Sequence, residues 1–120
     1  MLRIGKGIDR QAVRRAFDQR TYDSFVYEDV LEGGDIRETV AGIREAGNPQ
    51  DAQPLLAWLA SHPNAPEDVL RDLLRQGGRE VLLGLALNPK LPEDMMRGLM
   101  AHQDEEVRLH ANHVVRLKRH

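Results

Sequence analysis

Apolar and polar positions between residues 55 and 109 recur at a constant spacing of 26 residues, without a gap. A third copy begins at residues 106–109, where Glu-Val-x-Leu repeats residues 80–83. A fixed period of this length is typical of helical repeats that stack on one another. Identical pairs in the first two copies are Leu56/Leu82, Leu59/Leu85, Ala60/Ala86, Pro63/Pro89, Pro66/Pro92, Glu67/Glu93, Asp68/Asp94, Arg71/Arg97 and Leu73/Leu99.

Each copy predicts a short helix, a proline corner and a longer helix. Pro63 ends the first helix, because the residue before a proline is pushed out of the helical region. Pro66 begins the second helix, and the acids Glu67 and Asp68 complement the positive end of its dipole. Neither helix can bury its apolar face alone, so the copies are expected to stack. The apolar faces of the first copy consist of Leu55, Leu56, Leu59, Ala60, Val69, Leu70, Leu73 and Leu74.

The corner resembles that of a known family. The unit "helix, Asn-Pro-x-x-Pro-Glu, leucine-rich helix", seen at Asn88–Glu93 and with a histidine first at His62–Glu67, is similar to the leucine-rich repeat variant. This family consists of bacterial helical repeats of the HEAT and armadillo type, and the resemblance covers roughly residues 50–115. It implies a right-handed superhelix. Some members carry a cysteine-bound iron–sulfur cluster, but this chain has no cysteine, so no cofactor is expected.

The N-terminal part predicts three further helices. Asp9 caps a helix from Arg10 to about Gln19, and a second helix is predicted from Phe25 to Glu32 with Gly33-Gly34 as its stop. A third begins with a capping box of Asp35 and Glu38 and ends at Gly47. The expected fold is all-α, a short right-handed α-solenoid. We predict one domain, residues 1–120, with an N-terminal helical cap (1–47) and about two and a half repeats (48–120), the last helix running from about Glu105 to Arg116.

Composition favours a globular protein of the cytoplasm. The sequence of 120 residues is 41% hydrophobic and 30% charged, with a formal net charge of −2, no cysteine and no apolar run of membrane-spanning length. These values predict no membrane association and no general attraction to nucleic acid. Charge is uneven, because an acidic band at residues 23–38 lies between basic stretches at 3–20 and 107–120. The bands are either partner surfaces or ordinary solvated faces.

Few residues form a pattern typical of a metal site or a catalytic site. His110 and His113 are spaced to share a helix face, with His102 before them, but a zinc site needs a third ligand and a supporting shell. We therefore predict no metal site. The paired acids at each helix start are interpreted as helix-start electrostatics, and no nucleophile–base pair or phosphate loop is present, so we predict no enzymatic activity.

The remaining candidates are surface residues. Stacking would align Arg71 with Arg97, and Trp58 with Gly84 and His110, so the candidate partner-binding residues are Trp58, Arg71, Arg75, Arg97 and His110. Arginine and tryptophan are enriched at the centres of protein interfaces. The predicted function is non-catalytic protein binding, as an adaptor or an inhibitor or immunity-type protein. The alternative is binding of nucleic-acid backbone by the basic C-terminal helix. Solvated arginines and a core-edge tryptophan are the competing interpretation.

Overall fold

The fold is known from a computed structural model, which describes residues 3–5, 7–19, 26–27, 32–46 and 52–118. Seven helices and one pair of two-residue strands are the regular elements of these residues, so the predicted helical class is confirmed apart from the strands. The strands are β1 (Arg3–Ile4) and β2 (Val26–Tyr27). The helices are α1 (Arg10–Asp18), α2 (Gly33–Glu45), α3 (Gln53–Ala60), α4 (Glu67–Gln76), α5 (Arg79–Ala86), α6 (Glu93–Met100) and α7 (Glu105–Lys118).

Contacts divide the chain into two compact units. The first unit comprises Met1–Ala52 with Asn64–Pro66, and the second comprises Gln53–Pro63 with Glu67–His120. The first therefore holds β1, β2, α1 and α2, and the second holds α3 to α7. The boundary after Ala52 lies a few residues beyond the limit that the sequence predicts for the N-terminal cap.

In the first unit, α1 confirms its prediction. The Asp9 side chain accepts a hydrogen bond from the Gln11 amide at 3.1 Å, which caps the helix. Val13, Ala16 and Phe17 form its buried face, as the spacing predicts. Helices α1 and α2 approach closely at Gly42, where a β-carbon would lie 2.6 Å from the β-carbon of Val13.

The predicted helix from Phe25 to Glu32 is wrong at Val26 and Tyr27. These two residues form β2, which pairs in parallel with β1, Arg3 opposite Val26 and Ile4 opposite Tyr27. Branched and aromatic residues suit an extended backbone. Here β1 provides the partner strand with which these two residues pair. Residues 25 and 28–31 of that prediction lie outside the described residues.

The start of the next helix is also corrected. Helix α2 begins at Gly33, so the two glycines predicted to stop a helix open one instead. The capping carboxylate is Asp35, which accepts from the Glu32 amide at 3.0 Å and from the Gly7 amide at 2.7 Å. The predicted partner Glu38 binds Arg10 of α1 instead, at 3.1 and 3.3 Å. The predicted stop at Gly47 lies outside the described residues.

In the second unit, the predicted apolar positions form the core, except for Leu74, which is only half-buried. Leu59, Leu73, Leu85 and Leu99 are fully buried, so each of α3 to α6 contributes a leucine to the interior. Helix α5 approaches α3 at Gly84, where a β-carbon would overlap the carbonyl oxygen of Ala57. Only a residue without a side chain permits this approach.

Asn88 joins the two proline corners of the second unit. It is buried, and its side-chain amide donates to the carbonyls of Ala60 at 2.8 Å and His62 at 2.9 Å. Its side-chain oxygen accepts from the Lys90 amide at 2.8 Å. One side chain therefore links the end of α3 to the turn that follows α5.

Candidate protein-binding surface

Arg71 on α4 contacts two carboxylates. Its guanidinium donates two hydrogen bonds to Asp94 at the start of α6, at 2.9 and 3.3 Å. It also lies 3.6 Å from Glu67, one turn earlier on its own helix. The two-pronged geometry matches the fork of arginine to the two oxygens of a carboxylate. Arg71 therefore bridges α4 and α6.

The electrostatics of this bridge are mutual. The hydrogen bond from Arg71 lowers the pKa of Asp94 below its ordinary value of 3.8, with a smaller opposing effect of desolvation. The hydrogen bond to Asp94 likewise raises the pKa of Arg71. Each group stabilises the charged form of the other. Both side chains remain about half exposed, at 44% and 55%, so water weakens the attraction.

Arg75 lies one turn beyond Arg71 on α4 and is held far less. Its side chain is 74% exposed, and its contact with Asp72 is a long 3.8 Å. Asp68, Arg71, Leu74 and Arg75 line an open depression of about 380 Å³ on this helix. The depression combines two arginines, an acid and an apolar side chain, which is a mixture suited to a protein side chain rather than to a small apolar ligand.

Arg97 is exposed on α6 and makes no ion pair with another residue that the structure describes. The difference from Arg71 follows from the sequence. Arg71 finds its acid 23 positions later, whereas the residue 23 positions after Arg97 is His120. The arginine is therefore present in both copies of the repeat, whereas the acid that pairs with it is present for Arg71 only.

Trp58 and His110 lie on other helices. Trp58, on α3, is half-buried and meets the His62 ring edge-on, with 5.8 Å between ring centroids. His110, on α7, is half-buried, and its Nε2 atom is shielded from solvent without a hydrogen-bond partner. The candidates thus divide into three arginines on α4 and α6, one aromatic residue on α3 and one imidazole on α7.

The histidines of the C-terminal region do not converge. His113 is exposed, and the Nδ1 atom of His102 accepts a hydrogen bond from the Asp104 amide at 3.0 Å. Within the ranges that the structure describes, no three histidine or acidic side chains are grouped so as to hold a metal ion.

A second bridge was missed at the sequence level. Arg79, in the first turn of α5, donates to Asp104 at 2.8 Å and lies 3.0 Å from Glu106. Asp104 also caps α7 by accepting from the Glu106 amide at 3.0 Å, and the hydrogen bond from Arg79 lowers the pKa of Asp104. The available signal was an arginine at one helix start and an acid 25 residues later, one residue short of the repeat length.

Comparisons with family models, with curated proteins and with solved structures each gave no match to this chain. Among the described helices, none combines the length and the apolar content required to cross a membrane.

Proposed function

We propose that this chain is a non-catalytic protein-binding module of the cytoplasm, an adaptor or an inhibitor or immunity-type protein. Its binding surface is formed by α4 and α6 of a short α-solenoid. The proposal is carried by one observation: Arg75 and Arg97 are exposed beside the Arg71–Asp94 bridge, each about one turn beyond it on its own helix. Arginines that the fold leaves exposed can donate their planar fork of N–H groups to the carboxylates of a partner.

The solenoid arrangement is supported by the bounds of the helices. α3 and α5 begin at residues 53 and 79, α4 and α6 at 67 and 93, and α5 and α7 at 79 and 105. Each interval equals the sequence period. The right-handed superhelix of the leucine-rich repeat variant is part of this proposal, and it rests on the resemblance of the proline corners.

Binding of nucleic acid is less well supported. Of the basic residues in α7, Arg108 donates to the His102 carbonyl at 3.0 Å and is therefore occupied within the fold. The same helix begins with the exposed acids Glu105 and Glu106, which repel phosphate. A basic surface that follows a backbone requires several free cations in a row.

The test is a capture experiment with quantitative mass spectrometry on lysate of the source organism. The double variant Arg75→Glu and Arg97→Glu is compared with wild type and with Arg15→Glu, an exposed arginine on α1. We expect wild type and the α1 control to enrich the same protein and the double variant to lose it. A purified partner should then bind each single Arg→Ala variant about fivefold or more weakly.

The same experiment separates the alternatives. A folded double variant that retains the partner contradicts the proposed surface. Capture that nuclease abolishes for both wild type and the Arg15→Glu control favours nucleic-acid backbone instead. Circular dichroism on each variant excludes unfolding as the cause of a loss.

A further inference from the structure

The outward face of α7 carries apolar side chains. Leu109 is 57% exposed and Leu117 is 62% exposed, and exposed His113 lies midway between them. Residues four apart share one face of a helix, so these three form a single stripe, called here the α7 stripe. The opposite face, with Val107, Ala111 and Val114, is buried. The helix is therefore apolar on two sides, and only one side is covered.

Helix α7 also carries opposite charges at its two ends. Glu105 lies in its first turn and Arg116 lies near its last, and both are exposed. At 100° per residue, Glu105 and Arg116 fall on the same flank of the α7 stripe, about 20° apart. A two-fold interface requires a surface that is complementary to itself. An apolar stripe with acid at one end and base at the other meets that requirement.

We propose that the α7 stripe binds the α7 stripe of a second copy of this chain in an antiparallel pair. Leu109 of each copy lies beside His113 of the other, and Glu105 of each copy approaches Arg116 of the other. The antiparallel direction also opposes the two helix dipoles favourably. This inference depends only on α7 and not on the proposed function, whose surface lies on α4 and α6.

The pair is expected to be weak. A single helix face buries less surface than the standard interface of stable complexes, and contacts of that size are usually transient. The chain should therefore be monomeric when dilute and associate reversibly as its concentration rises. The two-fold symmetry limits the assembly to a dimer.

Sedimentation velocity on the full chain, up to about 1 mM, at the weak end of the affinity range, tests the apolar part. We expect a reversible monomer–dimer equilibrium for wild type. Leu109→Glu should weaken it by about tenfold or more, as expected for a central apolar contact. Leu87→Glu is the matched control, because Leu87 is similarly exposed at 55% but lies outside α7. It should leave the dimer unchanged.

Charge exchange tests the antiparallel direction. Glu105→Arg and Arg116→Glu should each weaken the dimer, since each places like charges together at two symmetry-related contacts. The double variant restores opposite charges and should restore association. Thermal melts confirm that each variant is folded. A monomeric wild type, assembly beyond a dimer, equal weakening by Leu87→Glu, or a double charge variant no better than the singles would each overturn the inference.

Discussion

The two successive helix pairs of the second unit, α3–α4 and α5–α6, have matching interiors and different polar links. Leu59 and Leu85 are both fully buried, and so are Leu73 and Leu99. These positions are set by the packing of each pair, which the repeated sequence dictates. The apolar interior is therefore copied from one pair to the next.

The polar contacts differ between the two helix pairs. Asn88 ties its corner to the corner before it, while the matching residue of the first pair is His62, whose carbonyl is one of the acceptors. Arg71 reaches Asp94 in the following pair, whereas Arg97 has no such acid among the described residues. A polar side chain depends on its neighbour as well as on its own helix. Repetition in sequence thus predicts burial more directly than it predicts hydrogen bonding.

The largest expected effect comes from the shared interior. Changing Leu73 or Leu99 to Ala should each lower the free energy of unfolding by about 2–5 kcal/mol, because both leave a cavity in a closed core. Relative to a total of about 5–15 kcal/mol, either change is large. Chemical denaturation monitored by circular dichroism measures it. If the interiors are equivalent, the two losses should be similar.

Leu109→Ala is the control for the Leu73 and Leu99 variants. Leu109 is exposed, so its change to Ala should alter the free energy of unfolding by about 0.5 kcal/mol or less. A loss at Leu99 far smaller than at Leu73 would show that the second pair is packed differently. That result would contradict the conclusion that the two helix pairs have matching interiors.

Gly84→Ala should cost about 1–3 kcal/mol, as overpacking typically does. The new methyl group would meet the backbone carbonyl of Ala57, which cannot rotate away as a side chain could. Gly98→Ala is the matched control, because Gly98 lies in α6 with nothing within 4 Å of a β-carbon. That change should stabilise the helix by up to about 1 kcal/mol. Thermal melts of both variants should shift in opposite directions.

The sequence predicted the core of the second unit well, because its apolar spacing and its prolines act locally. It failed at Val26 and Tyr27 and at the start of α2, where the outcome depends on distant residues. Val26 and Tyr27 are extended because Arg3 and Ile4 pair with them. Asp35 caps α2 while also accepting from Gly7. Neither contact leaves a signal in a local window.

Asn88→Ala should cost about 1–3 kcal/mol, because it leaves the buried carbonyls of Ala60 and His62 without their donor. Asn112→Ala is the comparison. Asn112 also donates to two carbonyls, at 2.8 and 3.2 Å, but it is only half-buried, so water can replace it. Denaturant melts should rank Asn88 well above Asn112. An equal ranking would mean that the corner link contributes no more than a surface bond.

The candidate site was predictable in part. The repeat identified Arg71 and Arg97 as matching exposed arginines, but the acids near them were attributed to helix starts alone. Asp94 has both roles, since it lies in the first turn of α6 and accepts from Arg71. Its second role depends on the distance between α6 and α4. The spacing of residues within one helix does not predict that distance.

The smallest expected effect concerns these bridges and is seen in the dependence of stability on pH. The pKa values of Asp94 and Asp104 are lowered in the folded chain, first of all by hydrogen bonds from Arg71 and Arg79. A carboxyl whose folded pKa is depressed contributes stability above its ordinary value of 3.8. That contribution is lost as the pH falls through the folded pKa. The bridges should therefore act at neutral pH and vanish in acid.

Asp94→Asn and Asp104→Asn should each reduce stability slightly at neutral pH, and the difference from wild type should disappear as the pH falls through the lowered pKa of each folded carboxyl, where the wild-type carboxyls become protonated. Glu93→Gln is the matched control, because it removes a carboxyl from the same turn as Asp94 but not from the bridge. Added salt should shrink the Asp94 difference, because the pair is exposed. Urea melts at a series of pH values measure all three curves. Asn variants that run parallel to wild type down to the lowest pH would show that the bridges contribute nothing to folding.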